Sequence, residues 1–251
     1  MDLPRPDPRA PWFQPFAACT SGGWPAPEQP VAAWLNGLRH AEAPDFVPQA
    51  HLPEGMTYEG FIAQTGQVPT RENLHDLFNG LVWLRYPQTK RRLNALHAQA
   101  LAGQGAGGQR GPVRDAVTLF DESGAVLQAP EPLWQALLAR DWQSLFLTRR
   151  ALWLQAELRV FGHALMEKLL AGRLNATAHV LLAPRAQAGQ DCGIALSDEA
   201  MAAVLQPQHL ALKPFVPLPL AGIPGWHTGN GDADFYAQTS IFRPPRAAGR
   251  A

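Results

Sequence analysis

TRENLHDLFNGLVWLRYPQTKRRLNALH, residues 70–97, is the stretch on which the fold turns. Advancing about 100° per residue from Leu74 puts Leu74, Leu77, Phe78, Leu81, Val82 and Leu84 on one broad apolar arc, the core-facing stripe of a helix. Asn73 stands where an N-cap belongs and Asp76 falls in the first turn. Pro87 ends this helix and opens a second one, which runs to about Leu101. The opposite face of the first helix carries His75, Asp76, Asn79, Gly80, Trp83 and Tyr86, without the Lys, Glu, Gln or Ser of a solvated surface. That face is therefore expected to be covered. Each covered polar group then needs a partner, because an unpaired buried donor or acceptor costs about 1–3 kcal/mol. On the second helix Lys90, Asn94 and His97 follow one another along one flank, and with Arg91 and Arg92 beside them they read as a solvated edge.

Residues 141–170 read as a long helix interrupted near Leu147 and Thr148. Leu154, Leu158, Phe161, Leu165 and Leu169 form its apolar seam, and Gln155, Arg159, His163 and Glu167 a polar line one turn apart. This line also lacks an ordinary solvated surround, so it is expected to face His75, Asp76 and Asn79 across a shared polar cleft. His163 and Glu167 have the one-turn spacing of two ligands on one metal, and His179, on a strand over Thr177–Leu182, is the third candidate ligand. Arg159 with Glu167 suits an internal ion network equally well. Both readings stand at this point.

The rest of the chain frames these helices. Residues 1–30, rich in Pro and Gly, read as an extended arm pinned by Trp12, Phe13, Phe16 and Trp24. A short helix follows over Val31–His40, then extended pieces at Phe46–Pro48 and Met56–Ile62. Gly103–Gly111 reads as a flexible linker; its chance match to a dinucleotide fingerprint at Gly103, Gly105 and Gly108 lacks the preceding strand. Val113–Phe120 reads as a strand that turns through Asp121-Glu122-Ser123-Gly124 into Ala125–Leu127, a β-hairpin; Asp115, Asp121 and Glu122 are acidic groups within reach of a metal, of which Asp121 and Glu122 are read as turn residues and Asp115 stays open. A helix over Glu131–Arg140 and another capped by Ser197 follow. Beyond Lys213 the segment KPFVPLPLAGIPGWHTGNGDADFY has too many prolines to continue a sheet or helix, yet is too apolar for a free tail. It is expected to lie across the body as an ordered cover. Together these elements predict an α+β fold: a mainly helical single domain over residues 31–246 with a small β-hairpin or sheet.

Composition sets the outer bounds. With 251 residues and 21 basic against 21 acidic groups, the chain buries a real core and offers no global field for nucleic acid or an anionic membrane. Its two cysteines, Cys19 and Cys192, make neither a disulfide framework nor a zinc-ligand pair. With no basic-then-apolar leader and no run of apolar residues long enough to span a bilayer, a cytoplasmic protein is expected.

The blocks VPTRENLHDLFNGLVWLRYPQTKRRLNALH, FGHALMEK, TAHVLL and PLPLAGIPGW followed by FYAQTSIFRP resemble, in order, one bacterial family known as domain of unknown function 3025. The likeness spans Val31–Arg246 and implies one unit over most of the chain; it carries no activity, cofactor or site residue. Function is therefore read from the residues. The leading expectation is a metal-assisted hydrolase, with a phosphoester as one candidate substrate. A divalent cation held by His163, Glu167 and His179 would activate water; His75, Asp76, Asn79 and Arg159 would be the catalytic groups. Two alternatives compete. One is a non-catalytic module that holds a small molecule or peptide between Trp83, Tyr86, Trp153 and Trp226; the other is a scaffold whose polar networks are structural. No P-loop, nucleophile elbow or paired zinc cysteines decide among them.

Overall fold

The computed structural model describes residues 3–102, 111–183 and 196–244. The expected linker and its glycine pattern at 103–110, and residues 245–246 of the closing segment, lie outside them. The N-terminal arm is not simply extended. It turns through a short helix, α1 (Gln14–Ala17), and seals itself to the body with Trp12, Phe13 and Phe16, all buried. Next come α2 (Val31–Gly37), β1 (Asp45–Pro48), α3 (Tyr58–Thr65) and β2 (Gln67–Thr70). The extended reading of Met56–Ile62 is corrected by α3, which Thr57 caps by accepting the Gly60 amide at 3.1 Å. β1 and β2 pair in parallel, Phe46 opposite Val68.

The central helices follow the sequence closely. α4 (Leu74–Arg85) begins at its expected cap, the Asn73 side chain accepting the Asp76 amide at 2.7 Å, and Pro87 opens α5 (Pro87–Ala102). Every residue of α4 from Asp76 to Leu84 is buried, so the helix is covered on both faces. The expected hairpin does not exist. Pro112–Ser123 is a helix, α6, with Pro112 in its first turn and Ala116, Val117 and Phe120 in the core; only Gly124–Gln128 is a strand, β3. Val113, Ala116, Val117 and Phe120 recur at helical spacing, and this period outweighed the strand preference of Val, Thr and Phe. α5 and α6 pack on each other.

After α7 (Glu131–Leu138) the expected long helix is also broken. A π-turn at Ser144–Thr148 and a 3₁₀ stretch at Arg150–Gln155 lead into β4 (Glu157–Val160), and α8 starts only at His163, running to Leu170. The apolar seam fails with it: Leu154 is 91% exposed. Pairing decided the matter, since β4 adds antiparallel to β3 with Val126 opposite Arg159. β5 (Thr177–Leu182) lies on the other side of β3, parallel to it. α9 (Asp198–Ala203), capped by Ser197, and α10 (Pro207–Leu210) precede β6 (Val216–Pro219). β6 is a correction too: the proline-rich segment does join the sheet, but at its edge, where strand order β4-β3-β5-β6 leaves one side of the backbone unpaired.

The cover beyond β6 is ordered. Leu218, Leu220, Ile223, Phe235, Tyr236, Ile241 and Phe242 are buried, and Arg150 and Tyr236 donate to the Asn230 carbonyl at 2.8 and 2.9 Å. The architecture is thus α+β and mainly helical, with two small sheets. Among the described residues no helix is long and apolar enough to cross a membrane.

Candidate functional site

Three chain segments meet at one end of the sheet: the first turn of α4, the last turn of α6 and the start of α8. Gly162 brings the last two together. A Cβ there would lie 2.5 Å from the Glu122 carbonyl oxygen and from Ser123 Cα and amide nitrogen, so only glycine lets α8 begin against the end of α6. The Gly124 carbonyl accepts the Phe161 and Gly162 amides at 3.0 and 2.9 Å and fixes this crossing. His163 therefore stands beside Glu122, and α4 packs across both.

His75 Nε2 lies 2.9 Å from His163 Nε2, and His163 Nε2 lies 3.8 Å from Glu122 Oε2. One ligand atom from each of His75, Glu122 and His163 falls within 4.8 Å of the others, and among the described residues they form a group able to hold a metal ion. A cation about 2.0–2.2 Å from each of its tetrahedral ligands separates those ligands by about 3.3–3.6 Å, and the two measured separations straddle that span. Behind His75, its Nδ1 meets Glu167 Oε1 at 2.6 Å. This carboxylate accepts the Nδ1–H hydrogen bond and so turns the Nε2 lone pair toward the cluster, as the outer carboxylates of zinc histidines do.

His163 is 4% exposed, and burial, with Lys90 and His75 adding to it, pushes its pKa down to about 4 against the opposing pull of Asp121. Its Nδ1 makes no well-formed hydrogen bond, although the Asp121 backbone interacts with the ring and favours a protonated one. With Glu167 accepting from His75 Nδ1, the neutral His75 ring presents its Nε2 lone pair, and the 2.9 Å contact is a hydrogen bond donated by His163 Nε2, whose hydrogen a cation would replace. Burial raises the pKa of Glu122.

These groups open onto a cleft of about 310 Å³ lined by Tyr58, Glu59, Arg71, His97 and Asp121 among others. A buried cation organises its floor. Lys90, 4% exposed, donates to Asn79 Oδ1 at 2.8 Å and Asp121 Oδ1 at 2.6 Å and lies 5.4 Å from the Trp83 ring centroid. Burial opposes ionisation of Asp121, but Lys90 and His163 outweigh it and hold the carboxyl below its usual range. The Asn79 amide in turn donates to Tyr58 Oη at 2.9 Å.

Several expected roles are redistributed. The structure brings His75, Asn79 and His163 together and places Glu167 behind His75. Asp76 lines the cleft and is bound by Arg71, whose backbone amide and guanidinium reach it at 2.7 and 2.8 Å, so its carboxylate holds the loop before α4. Arg159, on β4, pairs with Glu157 and lies away from the cleft. His179, on β5, packs edge-on to Phe215, and the third group of the cluster is Glu122. The four aromatics do not share a wall. Trp83 and Tyr86 are core residues, Trp153 stacks on Phe146, and Trp226 lines a separate groove with Trp12. For Trp83 and Tyr86 the large apolar area was worth more buried, while Trp153 and Trp226 are half-buried. Lys90 and His97 are buried, against the expected solvated edge. Glu122 was set aside as a turn residue and Tyr58 was not singled out, because each sat in a segment assigned to the wrong element; the helical spacing of Val113–Phe120 and the Thr57 cap signal were present for both.

The model of the family described as protein of unknown function (DUF3025) matches residues 44–246, and the chain belongs to that family. No curated protein and no solved structure matches it.

Proposed function

We propose that the protein is a metal-dependent hydrolase whose cation is held by His75, Glu122 and His163. One observation carries the reading: two imidazole Nε2 atoms and a carboxylate converge at the wall of an open cleft, with Glu167 orienting one imidazole from behind. Two histidines and one glutamate leave a fourth position of a tetrahedral cation for water, the arrangement of catalytic rather than structural zinc. Such a cation supplies a water that ionises near neutral pH. The chain supplies the rest: ligands held by three packed helices, and Asn79, Lys90 and Tyr58 as a rigid polar wall. A small-molecule substrate and a reducing compartment such as the cytoplasm, which two distant cysteines suit, belong to the same proposal.

Equilibrium dialysis against Zn²⁺ tests it. One equivalent is expected in the wild type and none in His75→Ala or His163→Ala, with circular dichroism unchanged. Glu167→Gln should weaken binding about 10–100-fold. A chelator should remove hydrolysis of a chromogenic ester and phosphoester panel. Substoichiometric zinc in the wild type, or binding indifferent to both histidines, would sink the proposal.

A further inference from the structure

Lys90 gives the cleft wall a direction. An ammonium only donates, so Asn79 Oδ1 must be the acceptor at 2.8 Å, and the amide cannot be the other way round. Asn79 Nδ2 therefore donates to Tyr58 Oη, and the Tyr58 oxygen is an acceptor in that bond. Its own hydrogen must go elsewhere. Among the described residues the Tyr58 hydroxyl has no acceptor for it, and Tyr58 lines the same cleft as His75, Glu122 and His163. The wall thus ends in an O–H bond whose hydrogen is free for a ligand.

Charge narrows what that ligand is. Glu59, Asp76, Asp121 and Glu122 line the cleft with Glu167 behind them, against the cations Arg71 and Lys90. Arg71 is already committed to Asp76 and Lys90 to Asp121. Even with a divalent cation these ionised groups leave no positive surplus for a phosphate dianion. A neutral carbonyl compound meets no such repulsion, and the single negative charge it develops falls between the cation and one donor.

We infer that Tyr58 is a catalytic residue that donates its hydroxyl hydrogen bond to the carbonyl oxygen of an acyl substrate, an ester or amide, bound at the His75, Glu122 and His163 cation. The inference rests on the hydrolase reading above. Water oxygen bonds to the carbonyl carbon and the C=O π pair moves onto the oxygen facing Tyr58. That pair then returns as the bond to the alcohol oxygen or amine nitrogen breaks; one water proton passes to the departing atom and the other stays with the acid product. Burial above all keeps the Tyr58 hydroxyl protonated well beyond neutral pH, with Asp121, Asp76 and Glu59 adding to it against the Asn79 bond.

The test uses Co²⁺-loaded full-length protein, its visible spectrum titrated with acetohydroxamate, which carries an acyl oxygen, and separately with inorganic phosphate. Acetohydroxamate should bind the wild type more tightly than phosphate, and about 10–100-fold more weakly to Tyr58→Phe, the value of one hydrogen bond to a charged oxygen. Asn79→Asp is the second variant. Its carboxylate would accept from both Lys90 and Tyr58, turning the phenol hydrogen away from the cleft, so it should weaken acetohydroxamate too. The double variant should be no weaker than about the poorer single one. Absence of a Co²⁺ band in the wild type overturns the hydrolase reading and this inference together. A normal band with equal acetohydroxamate affinity in Tyr58→Phe, or with phosphate the tighter ligand, overturns the Tyr58 inference alone.

Discussion

Replacing Lys90 by Met is the sharpest test of how the cleft is built. The ammonium is 4% exposed, bonded to Asp121 and Asn79 and set over Trp83, and methionine matches its stem without the charge. Breaking a buried pair by removing one partner costs roughly 3–5 kcal/mol, because the other charge stays behind. The Asp121 side chain keeps 25% of its exposure, so water recovers part of that, and the lower end applies, about 3 kcal/mol. Urea unfolding followed by circular dichroism measures the loss. A domain with roughly 5–15 kcal/mol of stability still folds after it. Removing the stranded charge as well, in Lys90→Met with Asp121→Leu, should restore at least half of the loss, since the cost lies in the unpaired carboxylate. A Lys90→Met loss below about 1 kcal/mol, the value of an exposed pair, would mean that the ammonium is solvated. The directed hydrogen-bond chain to Tyr58 would then have no origin.

Gly162→Ala should cost about 3 kcal/mol, at the upper end for overpacking, because the new methyl meets the backbone of Glu122 and Ser123 and no flexible side chain can yield; zinc affinity should fall with it. Normal melting and normal metal uptake would contradict the crossing described here. Truncation after Lys213 removes β6 and the buried Leu218, Leu220 and Phe242, so the shortened chain should lose its cooperative thermal transition or precipitate; an unchanged melt would contradict the covering role. Burial, outweighing Glu59 and Asp121, holds the His97 imidazole below its ordinary value of 6.5. The unfolded chain therefore takes up that proton first, so the His97 contribution is complete above about pH 6.5 and is lost as pH falls through it. His97→Gln should flatten that part of a urea-stability profile between pH 7.5 and 5, and identical slopes for the two proteins would refute the assignment.

What could be read from sequence, and what could not, divides along chain separation. The α4 boundaries were legible because their causes are local: Asn73 bonds Asp76 three residues on, and Pro87 removes its own donor. The break between β4 and α8 was not. Its cause is the paired backbone of β3 and the close crossing of Gly162 over Ser123, both set by residues far along the chain. A period of 3.6 fitted to residues 152–169 had no access to either. Lys90 was misplaced for a related reason: Arg91 and Arg92 beside it suggested water, while the groups that bury it, Asn79 and Asp121, stand 11 and 31 residues away.

The cleft shows how far the partner argument carries. Two helix faces unsuited to water implied that each wanted company, and the structure sets His75 against His163 at 2.9 Å. The third member was not legible in the same way. Glu167 and Glu122 both end up beside the histidines, yet one stands behind His75 and the other faces the cluster. Spacing on α8 favoured Glu167 as the ligand, because His163 and Glu167 lie one turn apart. But the Nδ1 contact at 2.6 Å spends that carboxylate on orienting a ring. Glu122 is left to face both Nε2 atoms from the end of a helix that the sequence pattern had drawn as a strand. An unsatisfied polar face therefore predicts that a partner exists, whereas which carboxylate faces the histidine cluster and which stands behind it depends on where a distant backbone crosses.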